Sequence, residues 1–239
     1  MKENFDLIIT DGNVVLPDSS IQQIDIGVNK TKITELGNLK GKNCKKRINA
    51  KNLLILPGAI DTQVHFREPG LTHKEDIMCG TKGAALGGVT TIFEMPNTKP
   101  STTTKEALNK KLLIAKNDAF CNYSFFMGAA KENIKNLKNL ESLPGCCGVK
   151  IFMGSSTGDL LVEDDDSLRK ILKSGNRRAA IHSEDEYRLR ERKKILDQEN
   201  VTVHDHPRWR DVETAVNSTK RLLKQKLLLY IIKVYSIQV

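Results

Sequence analysis

Four polar residues occupy alternate positions along an apparent strand near residue 60. Successive side chains of a strand point to opposite faces, so polar residues two apart face the same way. Such a row would be costly inside a sealed core, whereas it suits a strand end that opens into a polar site. The row therefore favours a binding or catalytic site over a single buried histidine. Its members are Asp61, Gln63, His65 and Arg67.

A lysine, Lys150, lies within the apolar strand-like run 148–153. A buried ammonium is costly unless it is paired or neutralised. Pairing with an acid, or extension of the amine to the surface, is the simpler explanation. The alternative is conversion by carbon dioxide into an anionic carbamate, which could bridge two metal ions. The residues alone leave both explanations open.

Two further polar residues stand at the ends of strand-like runs. Asn97 follows the run 90–95, where its amide could bind a ligand carboxylate or carbonyl, or could simply form a turn. His182 ends the run 179–182 and suits a metal or substrate ligand. Taken singly it could equally be a loop histidine followed by a helix cap at Ser183 or Asp185.

The segment 203–210 contains His204 and His206 in a proline-bounded loop with Trp209, the one tryptophan of the chain. No further metal ligand lies near this pair in the sequence. The segment is therefore predicted to be structural or lid-like, with Trp209 as its packing anchor.

The elements that must position these residues alternate between strand and helix from residue 53 onward. This order predicts an α/β fold with a parallel sheet or barrel, in which functional groups gather at the carboxyl ends of the strands. Five such units are visible, whereas a closed barrel has eight. Strands are predicted at 53–56 with 60–66, 90–95, 122–127, 148–153 and 179–182, and helices at 76–86, 105–117, 131–140, 165–174, 184–196 and 211–223.

The two ends of the chain have a different character. Residues 1–56 hold short β-like runs at 5–10, 13–16, 23–28 and 32–36, separated by turns, which predict a small antiparallel β-domain, with a loop at 40–52. Residues 57–224 form the predicted incomplete barrel. Residues 225–239 are an apolar tail without site-like groups, which could form a sixth strand or arise from an interrupted reading frame.

Composition excludes several classes of protein. The chain has 239 residues and a net charge of +9, but its basic residues are scattered and few aromatics accompany them, which argues against a nucleic-acid partner. No segment approaches the roughly 20 apolar residues of a membrane span. The acidic N-terminus does not resemble a signal peptide, so a cytoplasmic protein is expected. The five cysteines show no metal-finger spacing and are expected to be buried or incidental thiols, with the adjacent Cys146 and Cys147 packed in the core.

Several separated motifs, in order and spacing, resemble the amidohydrolase superfamily and its dihydroorotase branch in particular. Hydantoinases and allantoinases have similar skeletons, and the arginine and the MPNT element favour dihydroorotase. The motifs are LPGAIDTQVHFREPG (56–70), EMPNT (94–98), VKIFMGSS (149–156), HSED (182–185) and HPRWRD (206–211).

The resemblance implies a (β/α)8 barrel of the TIM type beside a small β-domain. It implies hydrolysis of a cyclic amide with one or two zinc ions, interconverting N-carbamoyl-L-aspartate and L-dihydroorotate in pyrimidine biosynthesis. His65 and His182 would be metal ligands, and Lys150 would be a carboxylated bridging lysine. Arg67 and Asn97 would hold the substrate carboxylate.

Two departures from the family pattern bear on activity. Gln63 stands where the family has the first histidine of a His-x-His pair, so Gln63 and Asp61 are retained only as further candidate ligands. The family's sixth-strand histidine and its general acid/base aspartate have no counterpart here. The leading expectation is therefore a truncated dihydroorotase-like chain that is incomplete as a catalyst and prone to aggregate.

Two other functions remain open. The first is a non-catalytic homologue that serves as a scaffold for another enzyme of the pathway, and the second is a hydantoinase or allantoinase type of hydrolase. The expected partners are a small-molecule substrate and either further copies of the chain or a pathway enzyme.

Overall fold

The computed structural model describes residues 5–155, 160–198, 200–229 and 234–237. Ser156 of the third motif, and residues 230–233, 238 and 239 of the predicted tail, lie outside these ranges. The chain divides into two compact units, Met1–Gly58 and Ala59–Val239, which are described separately.

The first unit consists of strands in two sheets. The four-stranded sheet has the order β5-β4-β1-β6 and the three-stranded sheet the order β3-β2-β7. Phe5, Ile8 and Leu39 form the buried core of this unit. The strands are β1 Phe5–Thr10, β2 Asn13–Val15, β3 Ile21–Gln23, β4 Asp25–Asn29, β5 Lys32–Gly37, β6 Cys44–Asn49 and β7 Leu54–Ile55.

Two expectations for this unit are wrong. Its sheets are mixed rather than antiparallel, because β6 runs parallel to β1 and β7 runs parallel to β2. The predicted loop at 40–52 contains β6, whose side chains are largely exposed. An exposed strand can be held by backbone hydrogen bonds alone, so it carries no apolar alternation that would reveal it in the sequence.

The second unit is built on a parallel sheet of six strands among the described residues, in the order β13-β12-β11-β10-β9-β8. The strands therefore lie side by side in the order of the chain, with helices between them. The strands are β8 Ala59–Val64, β9 Val89–Glu94, β10 Asn122–Gly128, β11 Cys146–Phe152, β12 Ala179–His182 and β13 Val234–Ile237. The helices are α1 Ile77–Leu86, α2 Lys105–Asp118, α3 Leu137–Leu140, α4 Asp165–Ser174, α5 Glu186–Arg192, α6 His206–Trp209 and α7 Val212–Leu229.

Side chains that stabilise the helix starts are visible in the sequence. Asp76, Thr104, Asp164 and Asp185 each accept a hydrogen bond from a backbone N–H in the first turn of α1, α2, α4 and α5. These contacts satisfy N–H groups that have no partner within the helix.

The two faces of this sheet have separate cores. The helix-side core contains Phe125 and Met127 of β10, Val149 and Ile151 of β11, and Ile181 of β12, packed with apolar residues of the helices. The opposite face carries a smaller inner cluster of Met95, Phe126 and Ala180, against which Phe93 and Cys147 pack. Alternation along each strand therefore sends one set of side chains to the helices and the other to the concave side.

The second unit differs from the predicted elements at three places. The helix predicted over 131–140 is a 3-10 turn, Ile134–Asn136, followed by the single turn α3. Helix α7 continues to Leu229, beyond the predicted end at residue 223. Helix α5 ends at Arg192, before the predicted end at residue 196, and a 3-10 turn, Lys193–Ile195, follows it. The tail contributes β13, a short strand parallel to β12, which is one of the two outcomes expected for it.

Candidate metal and substrate site

The predicted functional residues of β8, β9, β11 and β12 lie toward the carboxyl ends of these strands. His65 follows β8, Asn97 follows β9, Lys150 lies within β11 and His182 is the last residue of β12. Because neighbouring strands are parallel, these ends meet at one edge of the sheet. The structure therefore places the four residues along the same edge.

His65 is half-buried, and its Nδ1 lies 2.9 Å from Oδ1 of Asn97. An amide oxygen only accepts hydrogen bonds, so Nδ1 carries the proton and Nε2 keeps its lone pair. Burial, followed by the charge of Arg67, lowers the pKa of His65 to about 4. The imidazole is therefore neutral near neutral pH, which is the form that binds metal ions. Asn97 was predicted as a substrate ligand, and the structure gives its oxygen this contact with His65.

Lys150 is 1% exposed and alternates with Val149 and Ile151 of the helix-side core, so it faces the concave side of the sheet. Its Nζ lies 4.9 Å from the centre of the Phe152 ring. Burial lowers the pKa of Lys150 to about 8. The expected acidic partner is not found, because no carboxylate of the described residues pairs with this amine. The charge of Lys150 also helps to lower the pKa of His65, so the two groups interact across the concave face.

Arg67 adopts a backbone conformation that few residues other than glycine adopt, with φ of +64°. Its Nη1 is buried without a hydrogen-bond partner among the described residues. Burial lowers the pKa of Arg67, and the charge of Glu94 opposes that shift. A buried guanidinium nitrogen without a partner is costly, which suits a position that awaits an anionic ligand.

The turn that follows Arg67 is fixed against the segment after β9. The backbone N–H of Lys99 donates to the carbonyl of Pro69 at 2.9 Å. Gly70 has φ of +91°, and a Cβ at this position would lie 2.3 Å from the carbonyl oxygen of Lys99. Only glycine fits here, so the residues next to Arg67 and Asn97 are held close together.

The predicted polar row on β8 is interrupted by an irregular register. Asp61 pairs with Ile92 and Val64 pairs with Glu94, so three steps on β8 oppose two on β9. Such a bulge reverses the alternation, and Asp61 therefore faces away from the side to which His65 points. Oδ1 of Asp61 accepts a hydrogen bond from the backbone N–H of Gln63 at 2.9 Å, inside this bulge. The expectation that Asp61, Gln63, His65 and Arg67 share one face is wrong for this reason.

His182 is half-buried at the end of β12, and its Nε2 lies 2.5 Å from Oε2 of Glu184. Its ring packs at 5.9 Å, centre to centre, against Phe152. Arg210 also donates to the Glu184 carboxylate. Burial alone would raise the pKa of Glu184, but the hydrogen bond with His182 and the charge of Arg210 outweigh it, and the pKa is lowered.

A buried ion pair beside the site escaped the sequence reasoning. Glu94 of β9 and Lys111 of α2 are each 1% exposed, and Lys111 Nζ contacts the Glu94 carboxylate and, at 3.0 Å, the carbonyl of Met95. Glu94 also accepts a hydrogen bond from the backbone of Phe66, which lies between His65 and Arg67. The available signal was the position of Lys111 on the apolar stripe of α2, with Leu108 and Ala115 at helical spacing.

The side chains of His65 and His182 are of the chemical type that binds zinc, although the described residues do not form a complete set of zinc ligands. Among the described ranges, no three His, Cys, Asp or Glu side chains gather closely enough to hold a metal ion. Imidazoles with one ring nitrogen already hydrogen-bonded are typical zinc ligands, and His65 and His182 both have this arrangement.

No helix in the described part of the chain is long and apolar enough to cross a membrane.

The comparisons with known proteins agree with the resemblance found in the sequence. Residues 52–138 match the family model for dihydro-orotase-like proteins. A dihydroorotase of Methanosarcina mazei is 36% identical over 183 residues, which cover 75% of this chain and 40% of that protein. An allantoinase of Salmonella paratyphi B is 32% identical over 231 residues, which cover 92% of this chain and 50% of that protein.

The solved structure of L-hydantoinase from Arthrobacter aurescens superposes with a TM-score of 0.88 at 23% identity, over 98% of this chain and 53% of that structure. This likeness confirms the predicted partial barrel fold. The chain spans about half the length, or less, of the relatives that it matches. Over the part that these relatives match, the chain is similar to dihydro-orotase-like proteins and to allantoinase.

Proposed function

We propose that this chain carries metal- and substrate-binding residues of a zinc-dependent cyclic amide hydrolase. The proposed reaction is the reversible interconversion of N-carbamoyl-L-aspartate and L-dihydroorotate, in pyrimidine biosynthesis in the cytoplasm. The proposed division of the chain is a β-rich domain over 1–56 and barrel units over 57–224. Whole relatives are about twice as long, so turnover is proposed for the complete barrel rather than for these 239 residues alone.

Lys150 is the observation that carries the proposal. Its amine is buried, has no acidic partner among the described residues, and interacts with His65 across the concave face. A buried ammonium in this setting is expensive, whereas an amine that reacts with carbon dioxide becomes an anion suited to a cationic metal. His65, His182 and the carboxylated Lys150 are the groups that would hold zinc. Bound zinc would polarise the amide carbonyl of the substrate and activate water.

The protein groups have separate tasks in this proposal. Asn97 holds the proton of His65 on Nδ1, so that Nε2 faces the ligand side with its lone pair. Arg67 binds the substrate carboxylate through the guanidinium nitrogen that has no partner among the described residues. The closely packed turn at Gly70 keeps the arginine beside the segment of Asn97.

Zinc binding tests the metal site directly. The chain is stripped of metal and titrated with zinc in bicarbonate buffer, with the heat of binding as the readout. His65→Ala and His182→Ala should each weaken binding by more than about tenfold, a loss typical even of outer-shell changes. His73→Ala, at an exposed loop histidine, is the matched control and should bind like the unaltered chain. Equal affinity in all four proteins would refute the metal site.

Arg67 distinguishes a dihydroorotase from a hydantoinase or allantoinase type of hydrolase. L-dihydroorotate and dihydrouracil share one ring, and only the former bears a carboxylate. The zinc-loaded chain should prefer dihydroorotate, and Arg67→Met should weaken that binding about 10–100-fold while leaving dihydrouracil unaffected. Arg208→Met, at an exposed arginine, is the control.

Binding of neither ring compound by a chain that holds stoichiometric zinc would favour the scaffold function instead. Equal binding of both compounds would favour a hydrolase whose substrate lacks the carboxylate.

A further inference from the structure

The segment of α6, which was predicted to be structural or lid-like, reaches the candidate site through Arg210. This arginine donates from Nη1 to the Glu184 carboxylate and from Nη2 to the carbonyl oxygen of Ser155 at 2.8 Å. Glu184 Oε2 in turn lies 2.5 Å from His182 Nε2. A continuous chain of polar contacts therefore joins α6 to the last residue of β12 and to the segment after β11.

This chain of contacts is partly shielded from water. The side chains of His182, Glu184 and Arg210 are 15%, 17% and 19% exposed. Hydrogen bonds between charged groups are stronger under such shielding than on an open surface. The contacts are therefore expected to hold the three side chains in one arrangement.

Arg210 is itself fixed from its other side. Its guanidinium carbon lies 4.4 Å from the centre of the Trp209 ring. The indole Nε1 of Trp209 donates to the carbonyl oxygen of Leu189 in α5 at 2.9 Å. Stacking on an aromatic ring restrains a guanidinium without using its hydrogen-bond donors. Nη1 and Nη2 of Arg210 therefore remain available to bond Glu184 and Ser155.

The backbone at Glu184 is also tightly packed. A Cβ at Gly154 would lie 2.7 Å from Cβ of Glu184 and 2.9 Å from its carbonyl oxygen. The neighbouring Ser155 donates from its backbone N–H and its hydroxyl to Glu186, at 2.7 and 2.6 Å. Glu184 therefore has little room to move away from His182.

The geometry leads us to infer that Glu184 is a positioning residue, anchored by Arg210, which holds His182 with its proton on Nε2. A carboxylate only accepts hydrogen bonds, so its contact with Nε2 leaves the lone pair on Nδ1 as the one available to a ligand. The use of that lone pair by zinc rests on the function proposed above. The tautomer and its hydrogen bond do not depend on it.

Nuclear magnetic resonance of the histidine rings in the metal-free full chain tests the inference. The ring signals of His182 are identified by their absence in His182→Gln, and spectra are recorded about two pH units above the ordinary histidine pKa. The unaltered chain should show protonated Nε2 and a downfield Hε2 signal, because a hydrogen bond to a carboxylate slows exchange of that proton with water. Glu184→Ala and Arg210→Ala should lose the Hε2 signal.

Conservative variants and a neighbouring arginine complete the design. Glu184→Gln keeps an accepting oxygen and should retain a weaker Hε2 signal, and Arg210→Lys should retain part of it. Arg208→Ala alters an arginine two residues away that pairs with Asp205 instead, and should match the unaltered chain. Circular dichroism identifies any variant that fails to fold. If an alanine variant fails to fold, the Hε2 signal of the conservative variant at the same position, Glu184→Gln or Arg210→Lys, is compared with that of the unaltered chain instead.

Protonated Nδ1 in the unaltered chain, or an Hε2 signal that survives in folded Glu184→Ala, would overturn the inference. A signal that survives in folded Arg210→Ala would overturn the anchoring role. These outcomes need neither zinc nor substrate, so they are distinct from a failure of the proposed function, which would appear as absent zinc binding with the tautomer unchanged.

Discussion

Glu94 and Lys111 show how a buried ion pair can support a neighbouring site without touching it. Burial raises the pKa of Glu94 to about 7 and lowers that of Lys111, while the attraction between the two charges opposes both shifts. Glu94 also accepts a hydrogen bond from the backbone of Phe66, between the two predicted ligands of the β8 end. Removal of one partner leaves a buried charge unpaired, which costs more than the pair itself contributes.

Lys111→Met should therefore lower the free energy of unfolding by about 3–5 kcal/mol, measured by urea denaturation. Lys110→Met, at the exposed neighbouring lysine, should stay within about 0.5 kcal/mol of the unaltered chain. A loss at Lys111 no larger than that of the control would mean that Glu94 is protonated in the folded protein and needs no cation.

Single residues of the site were predictable to different extents. The positions of His65, Lys150 and His182 at one edge follow from strand order, which the sequence pattern already predicts. The acceptor that each histidine contacts was not predictable, because Asn97 and Glu184 reach their partners through three-dimensional packing. Lys111 was hidden because a lysine on a helix is usually solvated, and its burial depends on a carboxylate 17 residues away in the sequence.

Elements were predictable where local signals agree. The strand over 179–182 and the helix over 165–174 have the predicted bounds, because a continuous apolar run marks the strand and an acidic cap marks the helix. β6 was missed because its exposed side chains leave no pattern, and its existence depends on pairing with β1, more than 30 residues earlier. The bulge in β8 was missed because it arises from a side chain that bonds the backbone, at Asp61.

Asp164 is the cap of α4 and gives a test with a defined pH dependence. Its carboxylate accepts from the backbone N–H of Ser167 at 2.8 Å, and this bond is the main reason that the pKa of Asp164 is lowered to about 2. A carboxyl whose pKa is lower in the folded state stabilises the fold above its ordinary pKa, and this contribution is lost as the pH falls toward the folded value.

Asp164→Ala should lower the free energy of unfolding by about 0.5–2 kcal/mol near neutral pH. Asp164→Asn keeps a capping oxygen but cannot ionise, so its difference from the unaltered chain should shrink as the pH falls from about 4 to about 2. Denaturation at several pH values measures both effects. Asp166→Asn, at an exposed acid in the first turn, is the control, and a pH-independent difference for Asp164→Asn would contradict the argument.

At the scale of the molecule, the described part of the parallel sheet ends at strand β8. Within the described residues β8 has a neighbouring strand on one side only, and Ile60 on this strand is 60% exposed. A free strand edge with an apolar side chain is a template for pairing with another chain. The net charge of +9 opposes such association but does not remove the template.

Ile60→Lys should slow the aggregation of the purified chain, measured by light scattering at fixed concentration, because a charge on an edge strand blocks further pairing. Leu113→Lys removes a side chain of α2 with nearly the same exposure, 61%, and serves as the control for a general gain in solubility. Equal effects of both variants would show that edge pairing is not the route.

The contact between Trp209 and Arg210 also means that the intrinsic fluorescence of the protein reports on this part of the site. The chain has one tryptophan, so all of its indole fluorescence originates from a ring stacked on the guanidinium that bonds Glu184. A cation held against an indole ring changes the ring's electronic surroundings. Emission from the unlabelled protein therefore comes from a ring that one stacking contact and two hydrogen bonds join to the imidazole of His182. No dye or engineered chromophore is needed to observe this part of the site.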